Sequence, residues 1–141
     1  MNVEKRTIIA CHGWLAEGFK SSLNLIVGEI PNLQTLNCFV TPEFDIEKSV
    51  EKIFSEPDIK NFDIYVFTDI MGGSVNNAFV KQLEKHSFHL FTNINLAMLI
   101  DHFLSHEDAE KLFEKIEKGE FRQIFCNHLL HDSSKWSVDD I

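Results

Sequence analysis

Three short stretches of the sequence carry side chains that could accept and hold an anionic group. His12 precedes Gly13 at the end of an apolar run, Asp69 follows another apolar run, and Gly72-Gly73-Ser74 comes shortly after it. An imidazole can serve as nucleophile or general base near neutral pH, and a neighbouring carboxylate would fix which ring nitrogen keeps its lone pair. Two glycines and a hydroxyl at the start of a helix can present several backbone N–H groups to an anion.

Each stretch also has a structural interpretation. The loop histidine could be structural, Asp69 could cap the next helix, and Gly72-Gly73-Ser74 could be an ordinary flexible loop with Ser74 as N-cap. Taken together, the three stretches favour phosphoryl transfer, which depends on positioning and charge stabilisation. We expect no metal and no cofactor, because none is needed when donor and acceptor are both protein histidines.

The elements that must position these residues alternate between two periodicities. Short apolar runs, typical of strands covered on both faces, are separated by segments whose apolar residues repeat every three or four positions, as in helices. This alternation predicts an α/β fold: a doubly wound, mostly parallel sheet with helices on both faces. The predicted strands are 6–11, 35–40, 62–68, 88–92 and, less regularly, 121–130; Asp45 and Asn95 are the predicted caps of two helices.

The carboxyl ends of the strands are the expected binding edge. In an open parallel sheet, ligands bind beyond these ends, where the strand order reverses. Gly13 permits a tight turn there, and the following helix offers unpaired N–H groups to an anion bound by His12. The residues that follow the strands are Cys11-His12-Gly13-Trp14, Thr41-Pro42, Thr68-Asp69 and Asn93-Ile94-Asn95.

Composition narrows the class of protein. A length of 141 residues predicts a single domain over 1–141, with a C-terminal strand and tail over 120–141. The net charge of -9 argues against nucleic acid and favours a basic protein partner. Three widely spaced cysteines fit neither a disulfide framework nor a zinc site. No signal peptide or membrane span is evident, so a cytoplasmic location is expected.

Three motifs, in order along the chain, resemble a known family. They are Ile8–Glu17 (IIACHGWLAE), Asp69–Ala78 (DIMGGSVNNA) and Asn95–Leu99 (NLAML). The family is the enzyme IIA component of the mannose/fructose/sorbose type in the bacterial phosphoenolpyruvate-dependent sugar phosphotransferase system. The similarity runs from about Arg6 to Gly119, and Val75 and Ala97 stand where the family usually has proline.

The resemblance implies roles for these residues. His12 would be the phosphorylated histidine, Asp69 the aspartate that hydrogen-bonds it, and Gly72-Gly73-Ser74 the phosphate-binding loop. We further expect Trp14 and Met71 to form an apolar rim where partners dock and exclude water.

The resemblance also implies the partners. The carrier HPr would supply the phosphoryl group, and a histidine of an enzyme IIB subunit would receive it, on behalf of a membrane permease that takes up sugar. Family members are cytoplasmic homodimers that exchange a C-terminal strand, for which residues 121–130 could serve.

Other functions remain open on the sequence alone. A phosphorylation-dependent regulator, or the phosphocarrier that supplies dihydroxyacetone kinase, would use the same histidine. A receiver domain is disfavoured because the first strand ends in Cys11-His12 instead of an acidic pair. A metal enzyme is disfavoured because His102 and His106 are interpreted as surface residues. Cys11 is interpreted as a core thiol, since neighbours on a strand point to opposite faces.

Overall fold

A computed structural model of the chain describes residues 3–131. Within this range four strands alternate with five α-helices and two short 3₁₀ helices. The elements are β1 Lys5–His12, α1 Leu15–Ile26, β2 Leu33–Cys38, α2 Ile46–Phe54, a 3₁₀ helix Ile59–Asn61, β3 Asp63–Thr68, α3 Ser74–Gln82, β4 His89–Phe91, α4 Leu96–Ser105, α5 Ala109–Glu117 and a second 3₁₀ helix Cys126–His131.

The four strands form one sheet in the order β2-β1-β3-β4, and all three pairings are parallel. In the register, His12 lies opposite Cys38 of β2, and Ala10 lies opposite Thr68 of β3. The chain proceeds outward from β1 to β2 and then crosses back to β3, so the strand order reverses between β1 and β3. The predicted doubly wound parallel fold is confirmed.

Both faces of the sheet are covered, which explains the continuous apolar runs. Along β1, Ile8 packs in the layer that contains α2 and α3, whereas Ile9 packs in the layer that contains α1, α4 and α5. Ile8 and Ile9 are fully buried, because successive side chains of a strand point to opposite faces. The two central strands are thereby fixed in position, and with them the loops at their carboxyl ends.

Two helix starts follow the predicted caps. The Asp45 side chain accepts a hydrogen bond from the Lys48 backbone N–H at 3.1 Å, and the Asn95 side chain accepts one from the Met98 N–H at 3.0 Å. Each cap satisfies one of the backbone donors that a helix leaves unpaired at its amino end. The second cap begins α4, whose first turn contains Ala97.

His102 is buried, so its interpretation as a surface residue was wrong. Its Nε2 atom lies 2.9 Å from Thr7 Oγ1, and the rings of Tyr65, Phe67 and Phe103 surround the imidazole. The helical spacing explains the burial, because position 102 falls on the inward face of α4, four residues after the buried Met98 and three after the buried Leu99.

Stability should decrease in acid because of this histidine. Burial, with a smaller contribution from the charge of Lys5, lowers the pKa of His102 to about 3. As the pH falls, the unfolded chain, with a histidine pKa of about 6.5, therefore binds a proton at this position, whereas the folded chain does not. We expect His102 to reduce the free energy of unfolding by about 2 kcal/mol between pH 7 and pH 5.

Urea unfolding of the wild type and two variants at both pH values measures this contribution. His102→Gln removes the titrating group and should flatten the acid slope, whereas His106→Gln changes an exposed histidine one turn away and should leave the slope intact. An identical slope in His102→Gln and the wild type would contradict the prediction.

The C-terminal segment, as far as residue 131, forms no strand within the single chain, and the predicted exchange of a strand over 121–130 between subunits stays a prediction. Residues 122–125 pair with no strand, and Cys126–His131 forms a 3₁₀ helix. The His128 N–H donates to the Phe125 carbonyl at 3.0 Å, so local hydrogen bonds take the place of a strand partner. Ile124, Phe125 and Leu130 are exposed. The tail beyond residue 131 lies outside the described residues.

Within the described range, no helix is long and apolar enough to cross a bilayer.

Candidate functional site

His12 and Asp69 meet where the strand order reverses. His12 is the last residue of β1, and Asp69 directly follows β3, the neighbouring strand. The Nδ1 atom of His12 lies 2.9 Å from Asp69 Oδ2, and the backbone N–H of His12 donates to the same oxygen at 2.9 Å. The side chain of His12 is 44% exposed, whereas that of Asp69 is 12% exposed. The structure therefore brings the predicted pair together at the predicted edge, with the imidazole open to solvent.

The carboxylate determines how the imidazole can react. An ionised carboxylate only accepts hydrogen bonds, so Nδ1 must carry the proton and Nε2 is left with its lone pair when the ring is neutral. Burial raises the pKa of Asp69, but hydrogen bonds from the backbone and ring of His12, and the charge of that ring, outweigh burial and hold the pKa below its ordinary value. Asp69 is thus ionised at neutral pH and can orient the ring.

Three asparagines hold the loop that follows Asp69, and one of them, Asn77, donates from its side-chain NH₂ group to the Gly72 carbonyl at 3.2 Å. The Met71 N–H donates at 2.8 Å to Oδ1 of Asn93, which lies shortly after the end of β4. Asn76, which is buried in α3, accepts a hydrogen bond from Thr68 Oγ1 at 2.7 Å. These contacts tie the loop to β3 and β4. Sequence reasoning noted Asn93 only as a residue after a strand, because a side-chain bond to a loop 22 residues away leaves no local signal.

Two helices begin close to His12 in the structure, α1 along the chain and α3 across the neighbouring strand. Gly73 is the N-cap of α3 and Ser74 its first residue, and within residues 3–131 no side chain caps this end. The N-cap side chain of α1, Trp14, likewise makes no capping hydrogen bond, although the Glu17 N–H in its first turn donates to Asn37 Oδ1 at 3.2 Å. Free N–H groups and the positive end of the helix dipole favour an anion, so both termini could contribute to holding one, with one donor of α1 already paired.

The structure explains why glycine stands at both positions beside the imidazole, Gly13 and Gly73. Gly13 has φ +61, a conformation that L side chains rarely adopt, and its N–H donates to the Cys38 carbonyl at 2.7 Å. Gly73 has an ordinary φ of −73, but a Cβ atom there would lie 3.3 Å from His12 Cε1 and 2.8 Å from the Ile70 side chain. Gly73 therefore allows the backbone to approach the ring closely.

Exposed apolar side chains occur in the two segments that directly follow His12 and Asp69. The predicted rim residues Trp14 and Met71 are 68% and 66% exposed, and Leu15 and Ile70 are also exposed. Sequence reasoning missed Phe39, the residue after β2, whose ring stacks on His12 with centroids 5.6 Å apart. An aromatic residue directly after a strand is the only trace of this contact in the sequence.

The alternative sites do not assemble. Within residues 3–131, no group of three or more histidine, cysteine or acidic side chains could hold a metal ion. Cys11 is fully buried as expected, and burial, with the charges of Asp69 and Cys38, raises the pKa of its thiol to about 12, which makes it a poor nucleophile. A cavity of about 760 Å³ is lined by Lys5, Lys60 and other residues near the amino ends of the strands, away from His12.

Fold and site together define a doubly wound parallel α/β protein with a carboxylate-oriented histidine at its topological switch point. The sequence over residues 6–118 matches the family described as the PTS system fructose IIA component. The match spans most of the chain, which therefore belongs to this enzyme IIA family of the sugar phosphotransferase system.

Individual relatives agree with this assignment. The sorbose-specific enzyme IIA component of Lacticaseibacillus casei is 29% identical over 97 residues, which cover 67% of this chain and 68% of the relative. A phosphotransferase-system permease structure from Klebsiella pneumoniae is 35% identical, with a TM-score of 0.78, and the match covers 89% of this chain and 93% of that one. The mannose/sorbose-specific IIA subunit of Enterococcus faecalis, 22% identical with a TM-score of 0.70, shares the fold over 86% of this chain and 95% of its own.

Proposed function

We propose that this protein is a phosphocarrier that accepts a phosphoryl group from HPr on His12 and passes it to a histidine of an enzyme IIB subunit. The observation that carries the proposal is the 2.9 Å contact between His12 Nδ1 and Asp69 Oδ2, which leaves Nε2 free at an exposed edge. Membership of the enzyme IIA family supplies the direction of transfer. A cytoplasmic location would give this protein access to both HPr and enzyme IIB.

The chemistry needs only this chain and the two partner histidines. The Nε2 lone pair of neutral His12 attacks the phosphorus of phosphorylated HPr, and a new P–N bond forms as the bond to the donor imidazole breaks. The departing imidazole keeps the bonding electron pair. The proton on Nδ1 stays in its hydrogen bond to Asp69, which stabilises the positive charge on the phosphorylated ring. Transfer to enzyme IIB is the same step in reverse, with His12 as the leaving group.

The anion would be held by the start of α3. The helix begins at Ser74 directly after Gly73, whose backbone lies beside His12 Cε1, so the unpaired N–H groups of its first turn would be the donors. Preorganised donors of this kind stabilise charge that spreads over phosphoryl oxygens in the transition state.

Docking would use the exposed apolar rim. Trp14 and Met71 are exposed in the segments that follow His12 and Asp69 and, once covered by a partner, would keep water from the labile P–N bond. The net charge of -9 favours a basic partner surface. The exposed apolar side chains of Ile124, Phe125 and Leu130 support a homodimer through this segment, which sedimentation of the purified chain measures.

Partner-dependent labelling tests the proposal. Phosphoenolpyruvate, enzyme I and HPr should together place one acid-labile phosphate on each chain, and omission of HPr should prevent it. Addition of an enzyme IIB subunit should then discharge the label, which separates a transport carrier from a regulator that keeps its phosphate. A chain that remains unlabelled with all components present would refute the proposal.

Gly73→Ala should slow transfer without unfolding the protein. The backbone of Gly73 suits alanine, but the added methyl group would press on His12 Cε1 and Ile70. A small displacement of a reacting group costs about tenfold in rate or more, so we expect a transfer rate about tenfold lower, with the free energy of unfolding changed by less than about 1 kcal/mol.

Gly18→Ala is the matched control, because position 18 lies in α1 and a Cβ there meets nothing within 4 Å. It should leave the transfer rate unchanged and stabilise the helix by up to about 1 kcal/mol. Equal transfer rates in the two variants would remove Gly73 from the site.

A further inference from the structure

Phe39 has an unusual backbone conformation for its type. Its φ is +64, and within residues 3–131 the other non-glycine residues with positive φ are two asparagines and a histidine. Asparagine and histidine tolerate this region, but a bulky phenylalanine rarely occupies it. The Phe39 side chain is also 46% exposed, so burial of its ring does not explain why the conformation is maintained.

The Phe39 ring contacts His12 on one side and, through Phe44, is connected to the hydrophobic core on the other. Its ring stacks on the imidazole of His12 at a centroid distance of 5.6 Å and an interplanar angle of 29°. Behind it, Phe44 makes an edge contact at 5.1 Å and 68°, and Phe44 itself packs against the buried cluster beneath α2 and α3. An exposed ring is thus supported from the interior and placed over His12.

The stacking contact of Phe39 restrains a tilt of the His12 ring that the hydrogen bond to Asp69 still permits. Asp69 holds the ring by Nδ1, and the backbone at Gly73 lies beside Cε1, but a single hydrogen bond allows the ring plane to tilt about that atom. A stacked ring on one face opposes this tilt. Since the lone pair of Nε2 lies in the ring plane, the tilt sets the direction in which Nε2 attacks.

We propose that Phe39 is a positioning residue, whose stacked ring fixes the plane of the His12 imidazole so that Nε2 faces the phosphoryl donor. This role rests on the proposed function of His12 and adds a residue to it. The strained backbone of Phe39 places its ring on the imidazole, and the function of this strain is to orient the nucleophile His12.

A small phosphoryl donor distinguishes positioning from docking. Phosphoramidate can phosphorylate an accessible histidine directly and makes no protein contacts, whereas HPr would also touch the exposed surface of Phe39. A positioning residue affects transfer from both donors, and a residue that serves only in docking affects HPr alone.

The experiment compares three substitutions with the wild type. Phe39→Leu removes the stacked ring, Phe39→Tyr keeps it, and Phe113→Leu is the matched control because Phe113 is a half-exposed phenylalanine on α5. The stacking contact corresponds to about a threefold to tenfold effect. We expect Phe39→Leu to be slower by that factor with both donors, and Phe39→Tyr and Phe113→Leu to stay within about twofold of the wild type.

Proton NMR of His12 gives a readout that needs no phosphoryl donor. Loss of the ring current should move the Cε1 and Cδ2 proton signals in Phe39→Leu, and Phe39→Tyr should restore their wild-type positions. Unchanged signals, or a rate loss with HPr alone, would overturn the proposal. A wild-type chain that neither donor labels would refute the proposed function instead, while the NMR comparison would still test the stacking.

Discussion

His12→Gln should abolish phosphoryl incorporation. Glutamine has no nucleophilic nitrogen, because its amide lone pair is delocalised, and no other described histidine has a carboxylate-oriented ring beside the open terminus of α3. The backbone N–H at position 12 would still donate to Asp69, so the loop should keep its conformation. We expect labelling from HPr to fall to background, with an unchanged circular dichroism spectrum.

His128→Gln is the control for this variant, since His128 is an exposed histidine on the C-terminal segment. It should be labelled to the same extent as the wild type. Acid-labile phosphate that persists in His12→Gln would place the acceptor elsewhere and would also remove the basis for the roles of Asp69 and Phe39.

Asp69→Asn should slow transfer by about two to four orders of magnitude. Orientation and tautomer of a catalytic imidazole depend on an ionised acceptor, and replacement of such a carboxylate by an amide costs up to about 10⁴-fold where it has been measured in a histidine-based site. In this chain one oxygen accepts from both the backbone and the ring of His12. An amide that turns its NH₂ group toward Nδ1 would favour the tautomer whose Nε2 carries the proton and cannot attack.

The pair of His12 and Asp69 also determines how the stability and the transfer rate of the wild-type protein depend on Asp69 as the pH changes. The folded-state pKa of Asp69 is below its unfolded value, so the carboxylate stabilises the fold above the unfolded pKa and loses this effect only as the pH falls through the lower, folded value. Between pH 5 and pH 8, Asp69 therefore remains ionised and should not limit transfer.

Asp45→Asn provides the matched comparison for Asp69→Asn. Asp45 caps α2, and asparagine is an equally good cap, so this variant changes the net charge by the same amount at a distance from His12. It should transfer at the wild-type rate. If Asp69→Asn were equally fast, the carboxylate would have no part in the mechanism.

Much of the fold was predictable because it depends on local patterns. Strands buried on both faces carry continuous apolar runs, as β1 does over Ile8–Cys11 and β3 over Ile64–Phe67, and helices show an apolar face, so the alternation along the chain leaves few topologies for a parallel sheet. The adjacency of His12 and Asp69 was predictable for a related reason. In parallel strands all carboxyl ends lie at one edge, and the strand order reverses between the two strands that carry these residues.

The error at His102 concerns a residue whose environment is made by distant parts of the chain. His102 is polar, so composition placed it on the surface, but Thr7 from β1 and aromatic rings of β3 give it a partner and a packed environment. The strand predicted over 121–130 depends on a partner subunit in the same way, and within the single chain the sheet of residues 3–131 does not include it while 126–131 form local 3₁₀ hydrogen bonds.

The sequence by itself therefore determined the sheet, its binding edge and the histidine–aspartate pair, because these follow from periodicity and from the rules of parallel topology. Only the tertiary structure decided that Phe39 adopts a positive φ and covers one face of the imidazole, that Asn93 holds the Met71 loop, and that Asn37 pairs with the Glu17 N–H in the first turn of α1. These features depend on distances between side chains brought together by folding, and such distances leave no periodic trace in the chain.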